Sequence, residues 1–96
     1  MNEDGAQRSE AEFEIVNELG LHARAAAKLV RIAGGFRSRV EVAKDGQSAD
    51  AKSIMGVLLL CGEKGAKVSV RATGEDSEAA VAAIGALIAD RFGEER

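Results

Sequence analysis

The chain has 96 residues, 46% hydrophobic, 30% charged and only 3% aromatic, with a formal net charge of −3. That length suits one domain with a single modest core, and the core must be aliphatic because Phe13, Phe36 and Phe92 are the only aromatic residues. An acidic total without Tyr or Trp argues against a nucleic-acid binder, and no run of about 18 apolar residues is available for membrane insertion as a helix.

The opening stretch, MNEDGAQRSE, is polar and acidic with no apolar centre. It therefore reads as a flexible tail over residues 1–10 rather than a signal or transit peptide. The rest, residues 11–96, reads as the folded domain. A cytoplasmic location is the default expectation, and a lone Cys61 agrees because a disulfide framework needs pairs.

Glu12-Phe13-Glu14-Ile15 alternates charged and apolar residues, the period of a half-buried strand. After Gly20 the period changes: Ala26, Leu29, Val30 and Ala33 recur at helical spacing, and Gly34-Gly35 ends the helix. Residues 39–42 alternate again and run into Lys44-Asp45-Gly46-Gln47, where Asp-Gly predicts a two-residue hairpin turn. Residues 47–51 supply the returning strand. Ser53 precedes an apolar run over residues 54–61, broken by Gly56, whose length and leading Ser favour a short helix. Residues 67–71 alternate as a fourth strand. Asp76 is expected to cap a last helix, on which Ala80, Val81, Ile84, Leu87 and Ile88 form one apolar stripe. The order is strand, helix, strand, strand, helix, strand, helix. Such an α+β chain forms two layers, with helices on one sheet face and Glu12, Glu14, Arg39 and Glu41 wetting the other.

His22, the only histidine, falls where the first strand gives way to the first helix. A solitary histidine there is ordinarily structural. No second His, neighbouring Cys or carboxylate pair accompanies it, so no metal site is expected, and a hydrolase reading lacks a nucleophile-elbow pattern. One chemistry does suit it. A helix N-terminus presents unpaired N–H groups and a partial positive charge, which hold phosphate, and Arg24 adds a guanidinium suited to a phosphoryl group. The same positive end keeps the imidazole neutral and nucleophilic. Arg24, Lys28 and Arg31 follow i, i+4, i+7 spacing. They form a basic stripe that is either a solvated helix face or a docking surface for an acidic partner.

Gly20-Leu21-His22-Ala23-Arg24 with Ala26-Ala27 resembles the active-site motif of the HPr family, the histidine-containing phosphocarriers of the bacterial phosphotransferase system. Lys52-Ser53-Ile54-Met55-Gly56-Val57 resembles the second signature of that family, around its regulatory serine. The resemblance spans about residues 11–92. It implies an open-faced β-sandwich: a four-stranded antiparallel sheet with three helices on one face. It also implies a monomeric phosphoryl carrier rather than an enzyme, with no cofactor. Enzyme I would phosphorylate His22 on Nδ1, Arg24 would steady the phosphoryl group, and an EIIA-type domain would receive it. Ser53 corresponds to the serine modified by HPr kinase/phosphorylase, and Ile54, Met55 and Leu58 to the family's exposed apolar patch for partners, with Lys28 and Arg31 of the basic stripe as the charged partner-binding residues. Two roles are compatible with this chemistry, one in sugar uptake and one in the regulatory, nitrogen-related branch.

Two departures stand out. Ala25 replaces the proline usual after the arginine, losing a residue pre-organised for the first helical turn, and Leu19 stands where some members carry a small polar residue. Cys61 is expected to pack at the end of the short helix.

Overall fold

The computed structural model describes residues 7–96. Four strands and three helices alternate as β1 (Arg8–Glu14), α1 (Ala23–Gly34), β2 (Arg39–Lys44), β3 (Gln47–Asp50), α2 (Ile54–Leu59), β4 (Lys67–Thr73) and α3 (Ser77–Ala89). The strands form one antiparallel sheet in the order β1-β4-β2-β3. This is the two-layer α+β order expected from the periodicities and the open-faced antiparallel arrangement implied by the resemblance.

Alternation along each strand decides which sheet face is covered. Val40 and Val42 of β2 and Val68, Val70 and Ala72 of β4 are buried, together with Ala26 and Leu29 of α1 and Ala80, Ile84 and Ile88 of α3. The outward positions Glu12, Glu14 and Arg39 are exposed. On that outer face Arg71 pairs with Glu10 at 3.3 Å and Glu41 at 3.6 Å. Gly85, in the middle of α3, has a packing reason. A Cβ there would lie 2.4 Å from the ring of Phe13, so the glycine lets the helix settle onto β1.

The hairpin turn is the one Asp-Gly predicts. Asp45 and Gly46 both take positive φ, 51° and 82°, and Lys44 pairs directly with Gln47.

Four expectations need correction. First, β1 begins at Arg8, so residues 8–10 of the predicted tail belong to the sheet, paired with Arg71, Ala72 and Thr73. They are polar because one face of this edge strand is wet; residues 1–6 of that tail lie outside the described residues. Second, Ile15 follows the strand rather than ending it and is fully buried. Third, Asp76 occupies the N-cap position of α3 but makes no side-chain cap bond. Its carboxylate instead accepts from the N–H groups of Arg37 at 2.8 Å and Ser38 at 2.9 Å, and from the Ser38 hydroxyl. Three converging donors next to a buried serine outweigh one helical N–H. Fourth, Cys61 is exposed with φ 55°, because the chain turns left-handed immediately after α2.

Those hydrogen bonds, led by the Ser38 hydroxyl, hold the Asp76 carboxyl below its ordinary 3.8. A carboxylate with a depressed folded-state pKa adds stability above its unfolded value and loses it as pH falls through the folded one. Asp76→Asn should therefore melt at a lower temperature than the parent at pH 7, with the gap narrowing below pH 3.8. Thermal melts across that range check it; a gap independent of pH would count against the carboxylate.

Candidate functional site

The segment leading into α1 is shaped by Asn17 and Gly20. Gly20 adopts φ 66°, and a Cβ on it would lie 2.4 Å from the carbonyl oxygen of Gly62. Only glycine allows both the left-handed backbone and this approach. Asn17, fully buried, closes the turn from both sides. Its carbonyl accepts from the Gly20 N–H at 3.2 Å, and its Nδ2 donates to the Gly20 carbonyl at 2.9 Å. The next residue is anchored too, since the Leu21 N–H donates to the Gly62 carbonyl at 2.7 Å. The loop that presents His22 is thus fastened to the turn that follows α2.

His22 is the N-cap of α1, in an extended conformation (φ −75°, ψ 178°). Its carbonyl starts the helical ladder by accepting from the Ala26 N–H at 2.8 Å, and its Nδ1 accepts from the Arg24 N–H at 3.3 Å. The first turn contains no acidic residue, so no side chain of the helix offsets its positive end. Ala25 is fully buried and, unlike a proline, retains an N–H in this first turn.

The other ring nitrogen, Nε2, meets the carboxylate of Glu94, a residue the sequence reading did not single out. Asn17 holds that carboxylate, with Nδ2 2.9 Å from Glu94 Oε1. Both acceptors of Asn17 Nδ2 are oxygens, so the amide orientation is determined, and it leaves Asn17 Oδ1 buried without a partner among the described residues. The hydrogen bond from His22 is the main reason the Glu94 carboxyl lies below its ordinary 4.5. The Asn17 hydrogen bond and the Lys28 charge also lower it, while burial opposes them.

Glu94 reaches His22 because α3 is followed by a 3-10 turn, Arg91–Gly93, that brings the chain back against α1. Arg91 and Phe92 both have positive φ, 58° and 56°. Two such residues cost on the order of 1–2 kcal/mol each, which roughly matches the 1.5–3 kcal/mol gained by burying one large apolar side chain, here fully buried Phe92. The turn therefore depends on further ties. Lys28 Nζ donates to the Phe92 carbonyl at 2.6 Å, and the Glu18 N–H donates to the Arg96 carbonyl at 3.1 Å.

The basic stripe is thus divided. Arg24 and Arg31 are exposed, whereas Lys28 is half-buried and fastens the returning chain. Arg24 lines a groove beside His22 with Leu19, Lys28 and Glu94. On α2, Ser53 is the N-cap and its hydroxyl accepts from the Gly56 N–H at 3.1 Å. Met55 and Ile54 are exposed, but the phase of this short helix turns Leu58 against the core and puts Leu59 outside. The large apolar residues exposed among the described residues are therefore Leu19, Ile54, Met55 and Leu59. No group of three or more His, Cys, Asp and Glu suited to a metal ion occurs among the described residues, nor is any helix there long and apolar enough to cross a membrane.

Comparison with known proteins bears on these features. The family model described as the PTS HPr component phosphorylation site matches residues 9–90. A phosphocarrier protein HPr of Cupriavidus necator is 51% identical over 80 residues, covering 83% of this chain and 90% of that protein. The phosphocarrier protein NPr of Escherichia coli is 42% identical over 83 residues, covering 85% of this chain and 92% of that protein. Among solved structures, an HPr from Thermoanaerobacter tengcongensis superposes with a TM-score of 0.88 at 44% identity, covering 92% of this chain and 99% of that one.

The close approach at Gly20 should be the most sensitive point of the loop. Gly20→Ala must relieve contacts of 2.4 Å to Gly62 O and 2.9 Å to Glu63 Cα while holding φ 66°. The expected loss is about 1–3 kcal/mol of unfolding free energy, measurable by urea denaturation. A variant as stable as the parent would show that the loop relaxes freely.

Proposed function

This chain belongs to the HPr family of phosphocarriers of the phosphotransferase system, and from that premise we propose that His22 accepts a phosphoryl group on Nδ1 from enzyme I and passes it to a histidine of an EIIA-type domain. The observation that carries this reading is the position of His22 as N-cap of α1 with Nδ1 facing the Arg24 N–H, while Nε2 is engaged by Glu94. A phosphoryl group on Nδ1 meets the positive end of a twelve-residue helix, a favourable interaction of about 1 kcal/mol. Arg24, exposed on the first turn two residues after His22, steadies the phosphoryl oxygens through its planar guanidinium.

The protein acts as a monomer in the cytoplasm, presenting one face to successive partners. The candidate contact residues are the exposed Leu19, the exposed Ile54, Met55 and Leu59 of α2, and the exposed Arg24 and Arg31 of α1. Apolar contact supplies affinity there, and the arginines set encounter rate and register for acidic partners. Lys28 contributes by holding the returning chain. Leu58, inside the same helix, supports the patch from below.

Ser53 is the site at which HPr kinase/phosphorylase regulates transfer. Its hydroxyl is part-exposed at the start of the helix that bears Ile54 and Met55. A phosphate there places about two negative charges on the docking face, opposing an acidic partner.

A second reading, the regulatory nitrogen-related branch, is favoured by the 42% identity to NPr. It keeps the chemistry at His22 and changes the acceptor, and offering the phosphorylated protein to EIIA-type domains of each branch separates the two.

Incubation with phosphoenolpyruvate and enzyme I should give an acid-labile, base-stable phosphoryl label on the wild type and none on His22→Ala. No label on the wild type with an active enzyme I would overturn the carrier reading. Ser53→Asp should slow that labelling by roughly tenfold or more; an unchanged rate would reduce Ser53 to a helix cap.

A further inference from the structure

We propose that Glu94 is a positioning residue for the reaction at His22: its carboxylate holds the imidazole in the tautomer that carries its proton on Nε2, leaves the Nδ1 lone pair as the nucleophile, and balances the charge that the ring acquires on phosphorylation. This rests on the reading of His22 as the phosphoryl acceptor.

Two contacts on opposite edges of the ring select the same tautomer. An ionised carboxylate accepts and cannot donate, so Nε2 facing Glu94 must carry the hydrogen. The Arg24 N–H can only donate, so Nδ1 must be the unprotonated nitrogen. Glu94 is itself oriented from the far side, by Asn17 Nδ2 on its Oε1. Asn17 is fully buried and leaves its own Oδ1 without a partner among the described residues. An unsatisfied buried carbonyl is unfavourable, so this amide is placed for what Nδ2 does. Lys28 completes the arrangement by fixing the Phe92 carbonyl two residues before the carboxylate.

The step balances without a proton leaving the site. The Nδ1 lone pair forms the bond to phosphorus as the bond from phosphorus to the donor nitrogen breaks, and that electron pair returns to the donor. Nε2 keeps its hydrogen, so the phosphorylated ring is cationic and lies against the Glu94 carboxylate. On transfer to the acceptor the P–Nδ1 bond breaks, its pair returns to Nδ1, and the ring is again neutral with its hydrogen on Nε2.

The substitution Glu94→Gln discriminates sharply. Asn17 Nδ2 already donates to the Oε1 position, so the amide oxygen of the glutamine faces Asn17 and its NH2 faces His22. Nε2 must then accept, and the proton moves to Nδ1. Because the chain holds one histidine, imidazole 15N labelling yields a single ring to follow in long-range 1H–15N spectra at pH 8. The wild type should show the Nε2–H tautomer and Glu94→Gln a shift toward Nδ1–H, with Glu94→Ala between them. Rates of phosphorylation by enzyme I should fall in the same order, by roughly ten- to a hundredfold for Glu94→Gln, and the same spectra report that each variant is folded. A residue that merely stabilises the fold would make Glu94→Ala the worse substitution and leave the tautomer unchanged. Wild-type protein that takes no phosphoryl group would overturn the acceptor reading. Normal labelling of the wild type, with Glu94→Gln matching it in tautomer and rate, would overturn the role of Glu94 alone.

Discussion

Val68, Val70 and Ala72 turn inward from β4 while Lys67 and Arg71 turn out, and the same division runs through β1 and β2. A sheet with one apolar face can cover it only by stacking all of its helices on that side. With so few aromatic residues, the two layers must approach closely through small and branched side chains. Ala25, Ala26, Ala33, Ala72 and Ala80 are all buried, and Gly85 admits the Phe13 ring where a methyl group would collide. Everything that concerns function follows from this one-sided packing. It places the start of α1, the turn after α2 and the chain beyond α3 at the same edge of the helical layer. The Leu21–Gly62 and Glu18–Arg96 backbone hydrogen bonds are the stitches between them.

His22 sits at that junction with each ring nitrogen facing a different kind of partner. On one side is a helix N-terminus, an array of donors belonging to the local chain. On the other is a carboxylate brought from 72 residues away. The two demands are met together by one tautomer and one ring orientation, although the imidazole remains partly exposed. Glu94 also explains a basic helix residue that points inward. Lys28 carries a charge of the sign an acidic partner would seek, but its nearest task is to hold the Phe92 carbonyl and add to the field that keeps Glu94 ionised.

What was legible in the sequence was whatever depends on neighbours along the chain. Hydrophobic period marked β1, β2, β4, α1 and α3, the length and leading Ser53 marked α2, and Asp45-Gly46 marked both the returning strand β3 and the hairpin register, because turn geometry is decided by two residues. His22 and Arg24 could be recognised from local chemistry because a cap and its first turn are adjacent. Glu94 could not. It is one acidic residue among 16 Asp and Glu, and its relevance depends on Phe92 adopting a left-handed backbone in order to bury its ring. A closing Phe-Gly pair after the last helix was the available signal, since a large apolar residue beside a glycine marks a turn that packs inward. The same limit explains the inversion of Leu58 and Leu59: α2 has six residues, too few for a period to settle which side faces the core. Asp76 misled for a related reason. Its position fits a cap, and the donors it prefers, Arg37 and Ser38, are contributed by another part of the chain.

A carrier must bind a phosphoryl group firmly enough to keep it from water and loosely enough to release it to the next protein. On the proposed reading of His22 as the phosphoryl acceptor, the two devices beside it suit that requirement through their size. A helix end contributes about 1 kcal/mol, and a carboxylate that is itself part-exposed acts through a screened field and adds a comparable amount. Neither approaches the strength of a metal centre, and each acts on a different charge: the helix end on the phosphoryl oxygens, the carboxylate on the ring. On this reading, when the group departs the ring becomes neutral and keeps its Nε2–H on the Glu94 carboxylate, while the helix end is freed. Because both contributions are small, the free energy of transfer on this reading stays within about 2 kcal/mol of that between two histidines. With the proposed histidine donor and acceptor, such a relay operates near equilibrium, with direction set by supply and demand at its two ends.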